Sequence, residues 1–335
     1  MHPNQWIEVK KSGLYCIPGK FFIDPIYPVE HALVTHGHAD HARSGHQHVL
    51  TTPETTAIMQ TRYGLNFAQV QQIAPYYSML NINGVQVTFL PAGHILGSAQ
   101  ILLEYQNKRL IISGDYKRAA DPTCPEFAVR ECDVFITEAT FGLPVFKHPP
   151  IRHEINKLLA SLIKFPERCH LVGAYALGKC QRLILELRAA GYTETIYLHG
   201  AQVKLCDLYK NLGVNLGDLQ QVTVENAKTL AGKIVICPPS ALHDRWSRKL
   251  PEVLTANASG WMQIRARAKQ KGVDLPLIIS DHADWPELTK TILDVGAPEI
   301  WITHGREDAL LHYAKQQGLQ ASALSLLGYE DVLEE

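Results

Sequence analysis

Four metal-capable side chains fall within six residues at His36-Gly-His38-Ala-Asp40-His41, directly after the apolar run Ala32-Leu-Val34. The apolar run reads as a short buried strand that stops at Thr35. A buried strand end has no use for so many polar groups, and leaving them unpaired there would cost several kcal/mol. In an extended turn, residues two apart point to the same side, so His36 and His38 can grip one ion. Asp40 and His41 follow and can reach a second ion on the other side. Imidazole suits zinc, and carboxylates admit manganese or magnesium, so two borderline divalent cations fit the donor set. The competing reading is a polar surface turn that happens to be rich in histidine.

At 335 residues the chain is long enough for two domains or one large one. Its hydrophobic fraction of 46% and charged fraction of 19% describe an ordinary globular protein with an ample core. No apolar run reaches membrane-spanning length, and Met1-His-Pro-Asn-Gln lacks a signal-peptide core, so no membrane partner is expected. The seven cysteines are odd in number and scattered, with no C-x-x-C pair, and several sit in strand-like runs. That pattern predicts reduced, buried thiols and a cytoplasmic location. A formal net charge of −1 excludes a generally basic nucleic-acid binder, so any such contact must be local.

Residues 7 to 23 alternate short apolar runs with turns and predict antiparallel hairpins leading into the His36 strand. Thr52-Pro53 opens a helix that runs to about Tyr63-Gly64. Val85–Leu90 is a strand that delivers His94 between Gly93 and Gly97. A histidine there is either a structural hydrogen-bonder or a further ligand. A hairpin follows and ends at Gly114-Asp115, and the strand Val134–Thr137 ends at Glu138. From Ile151 to about Leu254 helical and strand patterns alternate, which predicts a small parallel α/β domain. No P-loop or dinucleotide fingerprint occurs, so no nucleotide cofactor is expected. Two more strands then end in polar clusters, Leu275–Ser280 in Asp281-His282-Ala-Asp284 and Glu299–Thr303 in His304-Gly-Arg306.

His36-x-His38-x-Asp40-His41 resembles the signature of the metallo-β-lactamase fold, and Glu138, His282 and His304 fall where the extra motifs of its β-CASP branch do. The resemblance implies an α/β fold: an αββα sandwich over residues 1–145 and 275–335, with an inserted β-CASP α/β domain over 146–274. The segment Ala176-Leu-Gly-Lys-Cys-Gln-Arg182 resembles the helix-opening motif of that insertion. The runs Gly13-Leu-Tyr-Cys-Ile-Pro-Gly, Ser113-Gly-Asp-Tyr-Lys-Arg, Thr137-Glu-Ala-Thr-Phe-Gly-Leu-Pro and Cys237-Pro-Pro-Ser-Ala are similar to one bacterial group. That group is the ligase-associated DNA exonucleases, relatives of Artemis-like nucleases. Membership would imply a DNA repair and DNA damage response role beside an ATP-dependent DNA ligase and an Lhr-type helicase. In the wider superfamily, a histidine at the third extra motif goes with RNA processing, so His304 leaves RNA open as a substrate.

By the resemblance, His36, His38 and His94 hold one divalent ion, Asp40, His41 and His304 the other, and Asp115 bridges them. Zinc is the first choice, with manganese or magnesium as alternatives. Two ions about 3.5–4 Å apart activate a water and clamp a phosphodiester. The candidate catalytic residues are therefore Asp40, Glu138 and His282, with His282 protonating the leaving oxygen and Glu138 orienting its ring. Lys117, Arg118, Lys179 and Arg182 are candidate phosphate contacts, and the run Arg265, Arg267, Lys269, Lys271 could extend them. Trp261 and Trp285 could stack bases, or simply pack. The expectation is a metal-dependent nuclease, a DNA exonuclease first, an RNA-processing enzyme second, and a lactonase or thioesterase of the same fold third.

Overall fold

Short apolar strands separated by tight turns build the first part of the chain. Strands β1 (Ile7–Lys10), β2 (Gly13–Cys16), β3 (Phe21–Ile23), β4 (His31–Leu33) and β5 (His46–Thr51) precede helix α1 (Pro53–Tyr63) and β6 (Ala68–Ile73). They form one six-stranded sheet in chain order, antiparallel at its start and parallel from β3 onward. Helix α1 starts where Thr52 accepts the Thr55 N–H and Pro53 takes the first position, and it stops at Gly64, as its sequence predicts. A second sheet begins with β7 (Met79–Ile82), β8 (Val85–Pro91), β9 (Ala99–Tyr105), β10 (Lys108–Ile112) and β11 (Val134–Ala139).

The chain then leaves this sheet. It forms α2 (Ile151–Lys164), β12 (Cys169–Gly173), α3 (Lys179–Ala189), β13 (Ile196–Leu198), α4 (Gly200–Asn211), β14 (Leu219–Gln221), β15 (Ile234–Cys237), β16 (Val253–Ala258), α5 (Arg265–Lys271) and β17 (Leu275–Leu277). These six strands make an all-parallel sheet in the order β14-β13-β15-β12-β16-β17. On return come α6 (Trp285–Asp294), β18 (Glu299–Gly305), α7 (Glu307–Gln316) and β19 (Gln320–Ala323). The two last strands complete the second sheet as β19-β18-β11-β10-β9-β8-β7.

The computed structural model describes residues 1–324, and the end of the chain expected in the sandwich, 325–335, lies outside them. Of the described residues, one unit is Met1–Lys147 with 282–324; the other is His148–Asp281. The sequence boundary at 274 falls too early, because Leu275–Leu277 pairs in register with Ala256–Ala258 of the parallel sheet. An apolar run announces a strand but not which sheet receives it.

Strand alternation accounts for the layers of the first unit. Leu110, Ile112, Val134 and Ile136 face a core shared with Leu14, Phe21, Leu33 and Leu50 of the other sheet. Ile111, Phe135 and Ile300 face the opposite way, onto Leu288 and Ile292 of α6 and Leu310 and Ala314 of α7. Ala32 and Val49 of the first sheet turn outward onto Met59 of α1. The order is therefore helix, sheet, sheet, helices, which is the sandwich the sequence resemblance implies. Each fully buried Leu, Ile, Val or Phe contributes about 1.5–3 kcal/mol to holding it together. Among the described residues no helix is long and apolar enough to cross a membrane, and all seven cysteines are unbridged.

Candidate metal centre

Strand direction gathers the polar clusters. β10, β11 and β18 are parallel neighbours, and β8 is antiparallel to β9, which is antiparallel to β10. So β8, β10, β11 and β18 all run the same way, and the residues at their ends or just past them arrive at one edge: Glu138 and His304 near the ends of β11 and β18, His94 and Asp115 beyond β8 and β10. Thr35, just past β4 of the facing sheet, accepts the Ala99 N–H at 2.8 Å and brings His36 to the same edge.

There His36, His38, His94 and Asp115 place one donor atom each within 4.8 Å of one another. His38 Nδ1 lies 3.1 Å from His36 Nε2 and 3.0 Å from His94 Nε2, and Asp115 Oδ2 lies 3.4 Å from His36 Nε2. His41 Nε2 approaches Asp115 Oδ2 at 3.4 Å and Asp40 Oδ2 at 3.6 Å. The His304 ring stands edge-on to His41 at 5.5 Å between centres. Asp115, Glu138 and His282 form a further group of the same tightness.

Burial first, then the His41 charge, lowers the pKa of His36 and brings His304 down to about 4. Burial, with His282 and His36 nearby, drives His94 well below its ordinary value. Burial works to raise Asp115, but His41 and His282 outweigh it and hold the carboxyl well below the usual range. Burial would likewise lower His41, but Asp115, Asp40 and Asp24 raise it well above the ordinary value. The result is ionised carboxylates facing neutral His36, His94 and His304 rings, the protonation states that metal ligands require, with His41 holding a proton that a cation would displace. This donor set fits a divalent cation.

Glycine and a strained histidine shape the edge. A Cβ on Gly114, whose φ is +55°, would stand 2.9 Å from Thr35. His304 itself adopts φ 58°, a left-handed conformation that costs a non-glycine residue about 1–3 kcal/mol and marks functional sites.

Asp24, at the end of β3, was not singled out in the sequence. Its Oδ1 accepts the Thr35 N–H at 2.7 Å, and its Oδ2 accepts the Thr35 hydroxyl at 2.6 Å and His41 Nδ1–H at 2.8 Å. That fixes the His41 tautomer and turns Nε2 toward Asp115 and Asp40. The available signal was an acid directly after the apolar run Phe21-Phe-Ile, the rule that found Glu138.

Glu138 is fully buried. Its Oε1 accepts the Tyr116 N–H at 2.7 Å, and its Oε2 accepts the Thr140 hydroxyl at 2.5 Å and His282 Nδ1–H at 3.0 Å. The four residues expected to contact phosphate are each paired within the protein, and Lys117, Lys179 and Arg182 are buried. Lys117 Nζ donates to the His282 carbonyl at 3.1 Å and pairs with Glu287 at 3.0 Å, while Arg118 bonds Thr291 and Asp294. In the other unit Lys179 and Arg182, 1% and 2% exposed, flank Asp281 at 3.8 and 3.9 Å. A buried cation needs a carboxylate or carbonyl, and distant segments supply both. Helix α5, with Arg265, Arg267, Lys269 and Lys271, buries no residue; Arg267 lies over the buried Trp261 ring at 3.8 Å, and Trp285 packs edge-on to Tyr313.

No family model matches the chain. Over 95% of its length it is 28% identical to a probable DNA ligase of Opitutus terrae, covering 31% of that protein. It is 33% identical to endoribonuclease YSH1 of Candida glabrata over 36% of this chain and 16% of the relative. Cleavage and polyadenylation specificity factor subunit 3 of Dictyostelium discoideum matches at 27% over 52% of this chain and 27% of its own length. The chain is a β-CASP metallo-β-lactamase relative. It spans about a third or less of the length of these relatives. A solved structure of a protein of unknown function from Enterococcus faecalis V583 shares the fold at a TM-score of 0.60 and 12% identity, over 90% of this chain and 80% of that one. The buried His/Asp metal site thus sits in a relative of nucleases.

Proposed function

We propose that the chain is a metal-dependent phosphodiesterase acting on polynucleotides, a DNA exonuclease of DNA repair. The observation that carries this is the His282–Glu138 pair, 3.0 Å apart, in one tight group with Asp115, which also completes the His36, His38 and His94 donor set. His36, His38 and His94 would hold one divalent ion, Asp40, His41 and His304 a second, with Asp115 between. When bound, such ions lower the pKa of water toward 7 and neutralise charge developing on a phosphoryl group.

The remaining chemistry belongs to the chain. An alkoxide is a poor leaving group at neutral pH, and His282 Nε2 donates the proton it needs. Glu138 holds Nδ1 of the same ring, so the Nε2 face points away from the carboxylate and toward the site. Help of this kind contributes about 10²–10⁴-fold in rate. Glu138 is held in turn by Tyr116 N–H and Thr140, so its carboxylate cannot swing into the metal donors.

DNA is supported by the match to a probable DNA ligase along nearly the whole chain, and an ATP-dependent ligase and an Lhr-type helicase would be its working partners. A second reading, RNA processing, is supported by His304 and by the endoribonuclease relatives.

End-labelled single- and double-stranded DNA and RNA, each with zinc, manganese and magnesium, test both readings. Shortening of DNA from one end, lost in Asp115→Ala, supports the first. RNA cleavage alone supports the second. Turnover of lactams or thioesters with no nucleolysis overturns both. His282→Ala should keep its metals and lose rate, and that loss should shrink when the leaving oxygen is replaced by sulfur, since a thiolate leaves unprotonated. An equal loss on the sulfur substrate removes His282 from the acid role.

A further inference from the structure

We propose that Lys117 is a positioning residue: its buried ammonium clamps the His282 backbone and so aims the proton donor. The inference rests on the proposed role of His282. The segment 116–119 holds the segment 282–287 at four points. Lys117 Nζ donates to the His282 carbonyl at 3.1 Å and to Glu287 Oε2 at 3.0 Å. The Ala283 N–H donates to the Tyr116 carbonyl at 2.7 Å, and the Ala119 N–H donates to Glu287 Oε1 at 2.7 Å.

The same short segment also sets the partner of the ring. Tyr116 N–H holds Glu138 Oε1 at 2.7 Å, and Glu138 Oε2 holds His282 Nδ1. Two residues before Lys117 stands Asp115, one of the metal donors. One five-residue stretch, 115–119, therefore fixes a metal donor, the carboxylate behind the acid and the backbone that carries the acid. The carbonyl direction at His282 sets the path of its Cα–Cβ bond. Without the ammonium the carbonyl loses its donor and the ring its aim, while the metal donors keep their places.

Side-chain exposure separates this role from phosphate binding. The Lys117 side chain is 8% exposed and already pairs with Glu287. Glu287 also closes the capping box of α6 with Asp284, so the clamp ties the His282 turn to the start of that helix.

The test compares Lys117→Met and Glu287→Gln with the wild type. Metal content should be unchanged in both. In Lys117→Met, kcat on DNA should fall on the order of 10²-fold, the cost of a misplacement near 1 Å, with KM kept. Glu287→Gln should fall less, in the same direction. On bis(4-nitrophenyl) phosphate, whose leaving group needs no proton, both losses should nearly vanish. Hydrogen exchange at the Ala283 amide should quicken in both variants. A raised KM with kcat kept, and a salt slope reduced by about one, would make Lys117 a phosphate contact and overturn the proposal. Equal losses on both substrates, or unaltered exchange at Ala283, would overturn it as well. If the wild type hydrolyses neither substrate, the nuclease reading fails, and the exchange rates alone decide the clamp.

Discussion

Replacing Asp24 by Asn should weaken metal binding without touching any of the metal donors. The Asp24 carboxylate is 4% exposed and accepts three hydrogen bonds, from Thr35 N–H, the Thr35 hydroxyl and His41 Nδ1–H. An amide of the same shape keeps one oxygen, enough for the Thr35 N–H. Its NH₂ group then faces two donors, the Thr35 hydroxyl and His41 Nδ1–H. The hydroxyl can rotate away. The imidazole can satisfy the amide only by moving its proton to Nε2, the nitrogen that faces Asp115 and Asp40 and should be free to bind metal. Loss of such an orienting carboxylate costs about 10–100-fold in metal affinity, or about 1.4–2.7 kcal/mol.

Zinc affinity would be measured by competition with a chromophoric chelator at pH 7.5, on protein first stripped of metal. His41→Ala serves as the control background, because it removes the ring through which Asp24 is argued to act. Adding Asp24→Asn there should cost little further affinity. Wild-type affinity in Asp24→Asn alone, or an equal further loss in the His41→Ala background, would refute the argument that Asp24 acts through the His41 tautomer.

Other outcomes follow from single sites. Asp115→Ala should leave a folded protein that retains less metal than the wild type, read by elemental analysis after gel filtration. Gly114→Ala should be destabilised by roughly 1–3 kcal/mol, from φ +55° and a Cβ pressed against Thr35, and the chelated protein should show this by a lower melting temperature. Burial, with the Arg43 charge, brings His46 down to about 4, and its Nδ1 accepts the Val29 N–H, which only the neutral ring can do. The unfolded chain therefore takes up that proton first. The His46 contribution is fully present above about pH 6.5 and is lost as pH falls toward 4, by at most about 3 kcal/mol. The pH dependence of stability in His46→Gln should be flatter than the wild type's over that window, and an identical slope would refute it.

Much of the centre was legible because its donors are local to strand ends. His36, His38, Asp40 and His41 form a cluster within six residues, and Gly93-His94 and Gly114-Asp115 repeat the pattern of strand followed by polar turn. The basic residues were not legible for the opposite reason. Lys117 reads as a free cation beside a metal ligand, yet its carboxylate, Glu287, comes 170 residues later. Helix α4 begins three residues before Val203, where the pattern placed it, because His199 caps it through its ring, and a histidine is not a usual capping signal. Strand β6 escaped notice because Ala68-Gln-Val-Gln-Gln-Ile73 is polar and mostly exposed at a sheet edge.

Convergence of the strand ends is a separate matter from their existence. Six polar clusters after six apolar runs could have been scattered over both ends of a sandwich. They meet because β8, β10, β11 and β18 run in one direction, with only β9 among them reversed. A hairpin of Arg109–Ile112 on Ala99–Tyr105 can be read from its turn, Gln106-Asn107, whose residues both take positive φ. The parallel pairing of β11 with β18 cannot, because 159 residues and the whole all-parallel sheet separate Ala139 from Glu299. Once that pairing is made, Thr137 lies opposite Ile302 and Ala139 opposite Gly305, so Glu138 and His304 fall side by side at the strand ends. The same rule then extends to the facing sheet. β3 and β4 are parallel, so Asp24 and Thr35 leave it together, and the carboxylate that orients His41 follows from strand direction alone.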